Sequence, residues 1–490
     1  MGLLCGVVIG CSTAPASAQI PIPQDAGELA QLQSFTGSAA VPRPVPAPAV
    51  PRHPFMAANG RSNVHNNAYQ TDSYPWSGPL GRDPRVFSQH LGTVGSCGIT
   101  IAFDRRGRLV TICISGTAVR LTLLDPQTLA TLATHDLPPR VIPPGRSPFT
   151  TSGGAYFYLD HRDRAVVAVR RRIYVIALRG GPGEPRWERV RTYNVERHVP
   201  SDDQLNSAIP DWRGRLWFVS RTNGIVGVLD RETGRLLGSR RTGEPIGNSF
   251  AVDETGGVFI VTDGAMYRFD ATRRGAPRVS WRVRYRNTGV VKPGQFDAGS
   301  GTTPTLMGSG YVSIADNADP MNVVVYRRAR RLSRGGRLVC EHPVFRRGAG
   351  ATDNSLIGTG RSMIVENNYG YAPPPEATEM GRTTAPGIER VDIDRDGRGC
   401  QTVWKSPKIS PSTVPKLSLA NGLVYAYTKP AGTPDAWYLT ALSFHTGRTV
   451  WRRLTGTGLF FNVHYAGLAI SPAGVLYTGV LGGTVAVADR

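Results

Sequence analysis

The chain has almost no lysine: five residues against 52 arginines, in a length of 490. The arginines are scattered through every segment, and no basic run is interleaved with aromatics. A nucleic-acid docking face needs a basic stripe for phosphates together with flat rings for bases. The net charge of +21 is therefore a dispersed surface property, and nucleic acid is excluded as a partner. Apolar runs long enough to span a bilayer, about 18 to 20 residues, are absent, as are convincing helix-period stretches beyond residue 90. No cysteine pair has CxxC spacing, which argues against a zinc knuckle or a thiol redox centre. No Gly-x-Ser-x-Gly elbow occurs, the glycine-rich stretch at 294–304 lacks the Lys-Ser/Thr ending of a P-loop, and no dinucleotide fingerprint sits between a strand and a helix.

Turn chemistry is what the chain has in quantity, with 57 glycines and 38 prolines beside a hydrophobic content of 40%. Short strand-like runs recur ("GITIAF", "RLWFVS", "GVFIVT", "SMIVEN", "LVYAYT", "VLYTGV"). Each follows a tight turn, opening at Asp104, Asp160, Asp211, Asp253, Met307, Gly358, Ala420 and Ser471, at intervals of 56, 51, 42, 54, 51, 62 and 51 residues. A unit recurring at roughly 40 to 50 residues is the spacing of a four-stranded propeller blade. The expectation is an all-β fold, a single β-propeller over residues 86–490 with eight blades, seven being the alternative. Second hairpins ("LLDPQT", "VLDRETGRL", "VDIDRDGRG") and recurrent Trp187, Trp281, Trp404 and Trp451 fit outer strands packed against their neighbours. The last unit offers only three strands, so "VFSQHL" (86–91) is expected to supply the fourth and remove both open edges.

Ahead of the propeller, residues 1–18 read as a signal peptide with an "ASA" cleavage site. Secretion is the first reading; the second is a lipobox ("VIGC") that would anchor a cell-envelope lipoprotein through Cys11. Residues 19–51 read as a Pro/Ala-rich tether and residues 52–85 as an extended lead-in, whose polar cluster of His65, Asn66, Asn67 and Asp72 is expected to be hydrogen-bonded across a rim. Four cysteines remain after the signal. Cys97 and Cys113 flank one hairpin turn and should face each other; Cys340 and Cys400 would form the second bridge. A monomer is expected.

"TDNSLIGTGRSMIVENNYGY" (352–371) carries amides and acids at both open ends of a hairpin and none at its turn. In a propeller, the loops entering inner strands and those leaving second strands share one face, so both ends lie over one channel mouth. Aligning the other units adds Asn206, Asn248, Thr303, Lys416, Asn462 and His464 on entry, and Asp263, Asp316, Asn317 and Lys429 on exit. Hard oxygens converging from several blades suit Ca²⁺, with Glu366, Asn367, Asn354, Asp316, Asn317 and Asp353 as the ligand set. Asn248, Asn206, Asn462 and Asp263 would hold a cofactor, and Lys416, His464 and Lys429 would serve as general acid–base or electrostatic groups. The bland alternative is that Asn and Asp here only cap strands and close turns.

"ALSFHTGRTVW" (441–451) resembles the repeat of quinoprotein-alcohol-dehydrogenase-like propellers, and the whole chain resembles a group of exported actinobacterial propeller proteins. The first resemblance implies oxidation with pyrroloquinoline quinone (PQQ), although the neighbouring cysteines common in such dehydrogenases are missing. Paraoxonase-like and gluconolactonase-like propellers offer the alternative of calcium-dependent lactone or ester hydrolysis. A third reading is a non-catalytic binding or scaffold propeller gripping a small molecule, glycan or peptide at the mouth.

Overall fold

The computed structural model describes residues 20–91, 95–142, 153–181, 183–308, 310–371 and 376–490. The signal-peptide and Cys11 expectations lie outside them. The fold is all-β, a β-propeller built of antiparallel sheets taken in chain order. Five sheets have four strands each, over residues 158–194, 205–241, 251–284, 305–343 and 357–406. A six-stranded sheet is built on residues 416–457, and an eight-stranded sheet joins residues 96–137 to 468–488 through the single pair Cys97–Val480. Arg85–His90 pairs antiparallel with Gly483–Ala488, as expected of "VFSQHL".

Each predicted turn links the first two strands of its group. The aspartates close them: Asp104 Oδ1 accepts from the backbone N–H groups of Arg106 and Arg108, both at 2.9 Å, while Oδ2 takes the Arg108 side chain at 2.8 Å. Asp160 and Asp211 repeat this with Arg164 and Arg215. Part of the arginine excess is thus spent on turns. Apolar clusters fill the space between successive sheets, and Phe103, Leu109 and Leu124 of the first group pack on Tyr477 and Ala486 of the last. The recurrent tryptophans are buried between sheets, as expected. Trp404 donates to the Phe444 carbonyl at 2.8 Å and lies so close to Gly447 that a Cβ there would come within 2.5 Å of the indole.

Both disulfides form: Cys97–Cys113 across the first hairpin, and Cys340–Cys400 with Cα atoms 5.9 Å apart, between outer strands of consecutive sheets. The second closes a 60-residue separation. Replacing Cys340 and Cys400 by serine is expected to lower stability by about 2–4 kcal/mol, read as a lower denaturant midpoint; an unchanged midpoint would show the bridge to be dispensable.

The N-terminal segments differ from expectation. Of the expected tether at 19–51, the described part is not free: Phe35–Gly37 adds to the outer edge of the sheet at Thr449–Thr457, and Ile22, Ala40 and Val45 are buried. Its alanines and valines find apolar seats that a composition argument cannot foresee. The lead-in goes deeper than a rim. Its carbonyls accept from the inner strands in turn: Arg61 from Phe103, Ser62 from Leu159, Ala68 from Val252, Tyr69 from Leu306, Thr71 from Gly358, Asp72 from Leu417 and Tyr74 from Leu419. Ser73–Tyr74 pairs parallel with Lys416–Ser418. Residues 62–74 are buried throughout. They form a plug.

Candidate functional site

The inner strands converge on a cavity of about 70 Å³ whose floor is Val64 and His65 of the plug. Segments ahead of successive inner strands contribute to its wall, through Thr100, Tyr156, Asn206, Asn248, Ser300, Asn354, Val414 and Tyr465. The predicted face is therefore the one on which Asn206, Asn248, Asn354 and Asp353 meet. Arg221, half-buried and ion-paired with Asp297, completes the cup.

The asparagines act differently from the expectation. Asn206 donates through its amide to the Ile246 carbonyl at 3.2 Å, Asn248 to Ser300 at 3.0 Å, and Asn354 to Thr413 at 2.9 Å. Each acceptor belongs to the loop of the following group. An inner-strand loop has carbonyls with no ladder partner, and an amide N–H satisfies one at hydrogen-bond range. The ring is a set of stitches between sheets, and the Asn248 oxygen takes the Tyr156 hydroxyl at 3.1 Å.

The six expected calcium ligands do not assemble. Asp316 accepts from the Asn322 backbone and amide, both at 2.7 Å, and from Ala318, which closes a turn; burial, against those bonds, pushes its carboxyl up to about 6. Asn317 donates to Asn287 and Val290, and Asn367 is bound to Ala349, Ala351 and Tyr369. Asn354 and Glu366 do meet, with the Asn354 amide donating to the carboxyl and Asn368 donating at 3.2 Å. Asp353 lines the cup. Among the described residues no group of three or more His, Cys, Asp or Glu stands together to hold a metal. One carboxyl already clasped by two amide N–H groups does not fit the oxygen cage that Ca²⁺ requires. A tricyclic quinone does not fit either, because ligand pockets usually offer about 300–1,000 Å³ and this cup has about 70. A larger cavity of about 550 Å³ lies under the proline strap at 45–51, but none of the predicted site residues lines it.

The three expected acid–base groups are engaged. Lys416 is wholly buried, donates to the Val64 carbonyl at 2.6 Å and forms an ion pair with Asp72. Burial, opposed by the Asp72 and Glu366 charges, pulls its pKa down. Lys429 pairs with Asp435 at 2.9 Å and donates to the Arg382 carbonyl, so it anchors a loop. His464 contacts the Tyr371 hydroxyl at 3.1 Å, and Asn462 accepts from that hydroxyl at 2.7 Å. Both are buried beside Tyr465 and do not line the cup. His464 and Tyr465 hold φ of 38° and 60°, a left-handed pair of non-glycine residues that stores strain beside the mouth. Asp263 is half-buried, gives its carbonyl to Asn287, and lies off the cup wall.

Sequence reasoning placed His65 and Asp72 on a rim and left Ser355, Tyr156, Arg221 and Asp297 out. His65 Nδ1 lies 2.8 Å from Asp72 Oδ2, and its Nε2 lies 3.3 Å from Ser355 Oγ. Only the "HNNAYQTD" cluster signalled this (residues 65–72).

The quinohemoprotein alcohol dehydrogenase of Comamonas testosteroni superposes with a TM-score of 0.53 at 11% identity, covering 89% of this chain and 81% of that one. The chain has a β-propeller fold. BamB of Moraxella catarrhalis gives a TM-score of 0.40 at 14% identity, over 66% of this chain and 93% of its own. By sequence, an Archaeoglobus fulgidus protein described only as uncharacterized is 27% identical over 455 residues, covering 86% of this chain and 85% of its own length. No protein-family model matches.

Proposed function

We propose that the protein is an eight-bladed propeller, exported from the cell, that binds a small polar solute in the cup at its channel mouth. The observation that supports this is a cavity walled by residues from segments spread along the chain from Thr100 to Tyr465 and floored by the plug. Narrow and lined by polar and apolar groups alike, it suits a compact solute with hydroxyl or carboxylate groups, which Arg221 and the Asn206 amide would orient. Two disulfides support an oxidising compartment, and no helix among the described residues is long and apolar enough to cross a membrane. Neither the quinone-dependent nor the calcium-dependent reading is retained, because the donor set and the space do not fit those groups.

A thermal-melting screen with polyols, short hydroxy acids and their esters tests the proposal. A solute at a hundred times its Kd should add about 2.7 kcal/mol of stability. Arg221→Ala and Asn206→Ala should abolish the gain. A gain that survives both substitutions places binding elsewhere, and a flat response across the panel favours the scaffold reading.

A further inference from the structure

The plug brings a histidine and an aspartate from its own tight loop against a serine from a distant sheet, and all three are buried at 6% exposure or less. Asp72 Oδ2 faces His65 Nδ1, so that nitrogen carries the proton. Nε2 is then an acceptor and the Ser355 hydroxyl donates to it. The 3.3 Å separation is the slightly open spacing of a nucleophile and base without bound substrate. Ser355 Oγ is also fixed by the Thr303 N–H at 2.9 Å, and both His65 and Ser355 line the cup. The loop that supplies the pair is unusual: Asn66, Gln70 and Asp72 hold φ of 63°, 59° and 53°. Left-handed non-glycine residues are costly and persist where the surroundings enforce them. Here the inner strands enforce them through the carbonyls of residues 68 to 74.

We propose that Ser355, His65 and Asp72 form a nucleophilic triad that cleaves short-chain acyl esters in the cup. The inference rests on the cup being a binding site. Triads are recognised by geometry and roles rather than by chain order or fold, and this one needs no elbow because the plug delivers the base from below. Ser355 Oγ attacks the acyl carbon as its proton passes to His65 Nε2, and Asp72 stabilises the imidazolium. The C–O bond to the alcohol breaks, and the imidazolium returns the proton to the leaving oxygen. Water then attacks the acyl-serine, with Nε2 taking its proton; the acid leaves and Ser355 regains its hydrogen. The narrow cup selects a small acyl group, and Arg221 stands on its wall to meet a polar alcohol or the developing oxyanion.

The full-length protein incubated with p-nitrophenyl acetate tests this. The expected result is a burst of nitrophenolate with an acetyl group on the peptide containing Ser355. Ser355→Ala should lose both the burst and the label while still melting cooperatively, and His65→Gln should slow acetylation about a hundredfold or more. Because His65 is buried, its variant is read only if it melts cooperatively; Ser355→Ala carries the decision otherwise. An unlabelled Ser355 in folded protein, or hydrolysis unchanged in Ser355→Ala, overturns the triad. If the Arg221-dependent melting shift persists in that case, the binding proposal stands alone; if that shift is also absent, both fall.

Discussion

Replacing Lys416 by methionine is expected to lower stability by about 3–5 kcal/mol, among the largest effects of any single substitution in this chain. Removing one partner of a buried ion pair leaves the other charge without compensation in a medium that solvates it poorly. Here both side chains have 0% exposure. Asp72 would retain its contact to His65 but lose the ammonium that balances its charge. The double variant Lys416→Met with Asp72→Asn should recover much of the loss, because two neutral groups of similar size remove the uncompensated charge. Urea melts of the two single variants and the double one give the coupling directly. A Lys416→Met protein within about 1 kcal/mol of the parent would mean that the ammonium does not neutralise the plug.

Glu366 should make stability fall as pH rises. Burial, against hydrogen bonds from Ser410, Asn354 and Asn368 and the Lys416 charge, pushes its carboxyl up to about 8. In the unfolded chain the group titrates near its ordinary 4.5. Between those pH values the folded protein holds a proton that the unfolded chain has released, so stability is full below about pH 4.5 and declines toward pH 8. Linkage allows at most about 1.4 kcal/mol per pH unit, a few kcal/mol in all. Glu366→Gln keeps the shape and removes the proton. Its stability should match the parent near pH 5 and exceed it near pH 8, other titrating groups cancelling in the difference. A difference that does not vary with pH would sink the account of a neutral, buried Glu366.

The parts of the fold that the chain announces are those in which one residue type does one local job. Asp104 and Asp211 close turns that are visible as Asp-x-x-Gly, and Cys97 and Cys113 sit across a hairpin whose register is local. The closing strand was legible because the last unit was one strand short. The plug was not, because it is held by its main-chain carbonyls, which every residue possesses. Its residues therefore carry neither helical nor strand period. Asn206, Asn248 and Asn354 line one cavity, but their amides bind carbonyls of the following loops. A sequence names the amide but not which end faces the neighbour, and here the N–H end does. Lys416 and Lys429 looked available because their aspartate partners stand 344 and six positions away, the first hidden by distance and the second by a loop. Ser355 had no local signature at all; its partner base arrives from residue 65.

The plug also has a bearing on how the chain reaches this state. Leu80 is held by Asp489, 409 residues later, and the Lys416–Asp72 contact spans 344. Contacts of such separation make assembly slow. Until the C-terminal strands exist, the early segment has nothing to seat against, and every inner edge it should cover stays open. A chain that ends before residues 416–419 thus presents a row of unsatisfied strand edges, the surface on which β-rich proteins associate wrongly.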